Sequence, residues 1–172
     1  ENHDSLFREG TGIYKFLTSG ADRIYDYIVE GEYDNIICTH VFPALAISEM
    51  QERHPSMRIT TSFISTDYTC SPSVSDSNLE WYFIPAESLK DEFVRCGVPS
   101  EKLVASGLPA KRAFYVRPDK KAAKAALGFD EDQRHLLVMC GSMGCGPIRD
   151  ITELLCENIS EDQTVTVVCG SN

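Results

Sequence analysis

Apolar positions in this chain follow two rhythms that alternate from end to end. Recurrence about every 3.6 residues predicts helix, and short continuous runs between turn formers predict strands buried on both faces. Ile13, Phe16, Leu17, Ile24, Tyr27 and Ile28 give residues 13–31 the helical spacing. Residues 35–39 then form an apolar run, and Pro43 opens a helix over 44–50 that stops ahead of Pro55. A strand rich in Ile and Thr is predicted over 58–65, another over 81–84, and a helix over 86–96 closed by Gly97 and Pro99. Residues 103–106 read as a fourth strand. Asp119 caps an Ala-rich helix that runs to Gly128, followed by a strand at 136–140, a helix at 148–158 and a strand at 164–169. Strands alternating with helices imply a parallel α/β architecture with right-handed crossovers.

A composition shift near 116–134 places a boundary in the chain. It gives a first domain over residues 1–116, a linker and helix over 117–133, and an opening βαβ unit over 134–172. That last piece is too short for an independent core. The absence of an initial Met and the stop just after an apolar run suggest that both ends are cut.

Composition narrows the function. The 172 residues carry 26 Asp+Glu against 16 Lys+Arg, a formal net charge of −10, which excludes a broadly basic nucleic-acid binder. Apolar content of 42% fits a globular chain, and no apolar run approaches the roughly 20 residues that cross a bilayer. The seven cysteines are odd in number, lack a CxxC pair and sit partly inside apolar runs. That usage fits a reducing, cytoplasmic compartment. His3, His40, His54 and His135 show no zinc-ligand spacing, so no metal site is expected.

Three segments carry candidate chemistry. Cys140-Gly141-Ser142-Met143-Gly144-Cys145-Gly146-Pro147 joins a strand to a helix. Glycines permit a tight turn there, and a helix N-terminus offers free N–H groups to a phosphate. The segment has neither the Lys-Ser/Thr of a P-loop nor the GxGxxG order, and a merely tight turn is the alternative. Ser65-Thr66-Asp67-Tyr68-Thr69-Cys70-Ser71-Pro72 follows a strand, where ligands collect in open α/β sheets. Asp67 either deprotonates a hydroxyl or caps a turn. His40 also follows a strand end, as a ligand contact or a turn residue. Lys102, Lys111, Arg112, Arg117, Lys120, Lys121 and Lys124 form a local basic stretch. It reads as a solvated face, or as a surface for a nucleotide diphosphate or an anionic membrane.

In order and spacing these segments resemble the monogalactosyldiacylglycerol synthase and diacylglycerol glucosyltransferase family. The matching stretches are residues 34–43, 65–69, 82–87, 97–103, 106–109, the glycine loop at 141–147 and residues 167–172. The resemblance implies Rossmann-like parallel sheets of a GT-B glycosyltransferase, incomplete here at both ends. It implies a diacylglycerol-binding N-terminal domain, a UDP-sugar-binding C-terminal domain and inverting hexose transfer at the inner face of a membrane. No cofactor beyond the UDP-hexose donor is implied. Donor contacts would fall to Gly141, Ser142, Met143, Gly144, Cys145, Gly146 and Asn172, and the acceptor-side loops would carry His40, Asp67 and Tyr68. Two departures stand out: Cys140 and Ser142 occupy places in what is a longer glycine run, and Ser71-Pro72 stands where the family often has His-Pro. Rival readings are a peptidoglycan-lipid N-acetylglucosaminyltransferase relative, a UDP-sugar epimerase, or a non-catalytic nucleotide-binding module. The piece alone is expected to lack transferase activity and to self-associate through bare apolar edges.

Overall fold

The computed structural model describes residues 10–141 and 146–170. The chain divides into two compact units, Glu1–Pro109 and Ala110–Asn172.

The first unit opens with two helices where the spacing predicts one. Helix α1 covers Gly12–Thr18 and α2 covers Ala21–Glu30. Polar side chains between them turn back on the helix: Thr18 Oγ1 donates to Tyr14 O at 2.9 Å and Ser19 Oγ to Phe16 O at 2.7 Å. Such bonds compete with helix continuation, and Gly20 then caps α2. The core-facing residues also differ from the expected stripe. Tyr14, Thr18, Ala21 and Ile28 are buried, while Phe16 and Tyr27 are exposed.

Strands β1 (Asn35–Cys38), β2 (Thr60–Ile64), β3 (Trp81–Ile84) and β4 (Leu103–Ala105) form one parallel sheet in the order β1-β2-β3-β4. Register aligns Cys38, Phe63, Tyr82 and Leu103 in one row across it, and all four are buried. Burial raises the Cys38 thiol to about 11. Helix α3 (Val41–Arg53) is the β1–β2 crossover and buries Ala44 to Ser48 and Met50. It starts two residues ahead of Pro43, which fits the first turn because its missing N–H has no helical acceptor there. Tyr14 Oη reaches Glu49 of α3 at 3.3 Å, and Asp22 of α2 bonds both Arg53 and His54.

The β2–β3 connection has no full helix. A short 3₁₀ turn at Val74–Asp76 is held instead by Tyr82, whose phenol accepts the Leu79 N–H at 3.0 Å and donates to Ser77 O at 2.7 Å. The β3–β4 crossover is a 3₁₀ turn followed by α4 (Lys90–Arg95), anchored by the fully buried Phe93.

In the second unit Asp119 caps α5 (Lys120–Ala126) by accepting the Ala122 N–H at 2.8 Å. Strands β5 (Arg134–Met139) and β6 (Gln163–Val168) pair in parallel, joined by α6 (Ile148–Asn158). Ile148 is the one buried hydrophobic residue of this unit among the described residues. Both units have the α/β parallel-sheet arrangement that the hydrophobic pattern predicts.

Candidate functional site

Parallel strands deliver their following loops to one sheet edge, and the carboxyl ends of β1 and β2 meet at a cavity of about 240 Å³. Its wall is part apolar, from Val41, Phe42, Phe63 and Pro72, and part polar, from His40 and Asp67 among others. The structure thus brings His40 and Asp67 to one cavity from loops 27 positions apart in sequence. Tyr68 is 66% exposed and does not line it.

His40 is the N-cap of α3. Its Nδ1 accepts the Phe42 N–H at 3.2 Å, and its ring packs edge-on against the Phe42 ring at 4.6 Å. An Nδ1 that accepts leaves the proton of the neutral ring on Nε2. His40 is therefore built to donate from Nε2; taking a proton at Nδ1 would cost the helix its cap.

Asp67 follows β2 on an exposed loop. Ser65, 2% exposed, continues the sheet by donating its N–H to Phe83 O at 2.9 Å, and its hydroxyl donates to Asp67 O at 3.1 Å. Farther along, Glu92 of α4 accepts from Thr69 Oγ1 and from the Cys70 N–H, both at 2.7 Å. The Cys70 N–H first and then the Thr69 hydroxyl hold the Glu92 carboxyl below its ordinary value. Sequence reasoning misses Glu92 because it sits 22 positions beyond Cys70 on a different element, with no motif around it.

Of the glycine loop, Gly141 and Gly146 are described, with φ of +44° and +107°, a backbone region that favours glycine. Pro147 precedes α6 and supplies no side-chain cap to its first turn. Ser142, Met143, Gly144 and Cys145 lie outside the described residues, as does Asn172.

The basic stretch splits into two kinds of residue. Lys102 donates to Asn78 Oδ1 and Leu79 O, both at 2.9 Å, Lys121 pairs with Asp132 at 2.7 Å, and Lys124 bonds the carbonyls of Glu131 and Gln133. These three tie local structure together. Lys111, Arg112, Arg117 and Lys120 are exposed and make no ion pair among the described residues. Among those residues no three His, Cys, Asp or Glu side chains gather as a metal site, and no helix is long and apolar enough to cross a membrane.

A processive diacylglycerol beta-glucosyltransferase of Staphylococcus saprophyticus is 29% identical over 161 residues, covering 92% of this chain and 39% of that protein. The enzyme of the same name from Bacillus cytotoxicus is 23% identical over 181 residues, covering 95% and 45%. The chain thus spans less than half the length of these relatives. Among solved structures, the apo form of the lipopolysaccharide outer core galactosyltransferase WaaB matches with a TM-score of 0.53 at 12% identity, over 91% of this chain and 42% of that one. That likeness supports the Rossmann-like glycosyltransferase fold expected from the sequence. Residues 3–110, which include both loops of the cavity, match the pattern described as monogalactosyldiacylglycerol (MGDG) synthase, and the chain belongs to that family.

Proposed function

We propose that the intact protein transfers a hexose from a UDP-sugar to diacylglycerol, with inversion at the anomeric carbon. The observation that carries this reading is the cavity beyond β1 and β2. A wall of Val41, Phe42, Phe63 and Pro72 beside His40 and Asp67 suits a hydroxyl borne on an apolar molecule. Residues 1–116 act as part of the acceptor domain and residues 134–172 as part of the donor domain. The work is done at the inner face of a membrane, with the protein held peripherally.

Asp67 is the proposed base. Its carboxylate takes the proton of the acceptor hydroxyl as that oxygen attacks the anomeric carbon, and the bond from that carbon to UDP breaks on the opposite face. His40 offers its Nε2–H to orient the hydroxyl, a role that its bond to the Phe42 N–H supports. The diphosphate is proposed to lie against the glycine loop, where main-chain N–H groups and the first turn of α6 favour negative charge.

A product assay tests the reading. The intact protein is supplied with UDP-glucose, UDP-galactose or UDP-N-acetylglucosamine and with diacylglycerol or a polyprenyl-diphosphate-linked sugar, and the product's anomeric configuration is read by NMR. Transfer to diacylglycerol with inversion is expected. Asp67→Asn should lower kcat by about 10²-fold or more with UDP affinity unchanged. Preference for the polyprenyl acceptor, or full activity in Asp67→Asn, would reject the acceptor or the base respectively.

A further inference from the structure

The loop that carries Asp67 runs through four exposed residues in a row, Thr66 to Thr69. Such a segment needs fixed points if it is to hold one side chain at a defined place. The sheet fixes one end through Ser65, by its N–H to Phe83 and its hydroxyl to the Asp67 carbonyl. The other end is fixed from a different element. A single oxygen of Glu92, Oε1, accepts both the Thr69 hydroxyl and the Cys70 N–H at 2.7 Å. Glu92 stands next to Phe93, which is 0% exposed, so the carboxylate rides on a helix rooted in the core. Glu92 itself lines none of the cavity.

We infer that Glu92 is a positioning residue: it clamps the far end of the 66–70 loop and so sets where Asp67 stands over the cavity. The inference rests on the reading of that cavity as the acceptor site. Two bonds converging on one oxygen fix a side-chain atom and a main-chain atom together. The loop cannot pivot about Thr69 without breaking both, and bonds to an ionised acceptor are the stronger kind. The clamp needs an acceptor oxygen at glutamate's reach. Glutamine keeps the oxygen and the reach; aspartate keeps the charge and loses the reach.

The test reads the clamp and the site separately, in the intact protein. Amide hydrogen exchange at Cys70 reports the clamp, and initial rates with dispersed diacylglycerol and a UDP-sugar report the site. Glu92→Ala is expected to speed Cys70 exchange by about tenfold or more. It should lower kcat/KM for the acceptor about fivefold, mainly through kcat, with the donor KM unmoved. Glu92→Gln, which keeps the acceptor oxygen without the charge, should restore most of both readouts, and Glu92→Asp should behave as Glu92→Ala. Thr69→Val, which removes one bond and keeps the other, should give intermediate exchange and serves if Glu92→Ala does not fold. A Glu92→Gln variant that matches Glu92→Ala, or a Cys70 amide that stays protected in Glu92→Ala, overturns the clamp. Faster exchange with unmoved acceptor kinetics keeps the clamp and overturns the acceptor-site reading instead.

Discussion

The two units of this chain share one grammar and differ in how much they bury. In the first, the row Cys38–Phe63–Tyr82–Leu103 is buried across four strands, and α3 presents six buried side chains. In the second, β5 and β6 pair over six residues and α6 packs against both strands. Leu137 and Met139 nevertheless stay 60% and 62% exposed. A continuous apolar run signals a parallel strand because such strands are ordinarily covered on both faces. The run announces the strand; layers of neighbouring elements do the covering. Pairing in the second unit leans on polar contacts as well: His135 Nε2 meets Thr166 Oγ1 at 2.8 Å, and Thr164 Oγ1 bonds Gln133 Oε1 at 2.5 Å.

The contrast breaks most readily in its cores. Phe93→Ala in the first unit should cost about 3–5 kcal/mol in urea denaturation, from lost transfer energy and a cavity. Leu137→Ala in the second should stay within about 0.5 kcal/mol. Equal losses would mean that the Leu137 face is covered in solution, and the contrast between the units would collapse.

A smaller effect tests whether the first unit's closure is polar as well as apolar. Ser48, 4% exposed, accepts the Asn78 N–H at 2.8 Å and donates to Ala44 O at 2.9 Å. Ser48→Ala strands that N–H and should cost about 1–3 kcal/mol in the same measurement. An unchanged midpoint would show that Asn78 finds another acceptor.

The smallest effect is local and depends on pH. Glu92 titrates below its ordinary value in the folded protein, so its contribution is present above the unfolded value of about 4.3 and fades as pH falls through the folded one. Cys70 exchange, corrected for intrinsic rates, should be flat from neutral pH to about 5 and rise only in more acid solution, by less than in Glu92→Ala because the protonated carboxyl keeps its carbonyl oxygen as an acceptor. A rise near neutrality would assign the clamp to a different group.

Much of the fold was legible from the chain. Residues 81–84 and 148–158 form the strand and helix that their patterns predict, and the other strands differ by one or two residues at their ends. The break between α1 and α2 was not legible, because it depends on where Thr18 and Ser19 send their hydroxyls. The same spacing put Phe16 and Tyr27 toward the core, where the structure has Tyr14 and Ala21. At the cavity, His40 and Asp67 could be named because each follows a strand end, a position with meaning in any parallel sheet. Of their apolar neighbours, Phe63 read only as strand, and Val41 fell in the turn ahead of the helix expected over 44–50. Glu92 carries no local signal, since its role exists only once α4 is laid beside the loop.

The missing helix between β2 and β3 has an evolutionary consequence. A crossover helix would tie that stretch to a 3.6-residue hydrophobic period, and each position would answer to its neighbours a turn away. Here the ends are fastened from outside, by Glu92 at Thr69 and Cys70 and by Tyr82 at Ser77 and Leu79. Residues 71–76 between those fasteners are released from periodicity. A substitution at Ser71 or Pro72 therefore changes the lining of the cavity while the sheet beneath keeps its register. Around the buried Ser73 and Val74, the segment is a place where a lineage can try new chemistry without renegotiating its fold.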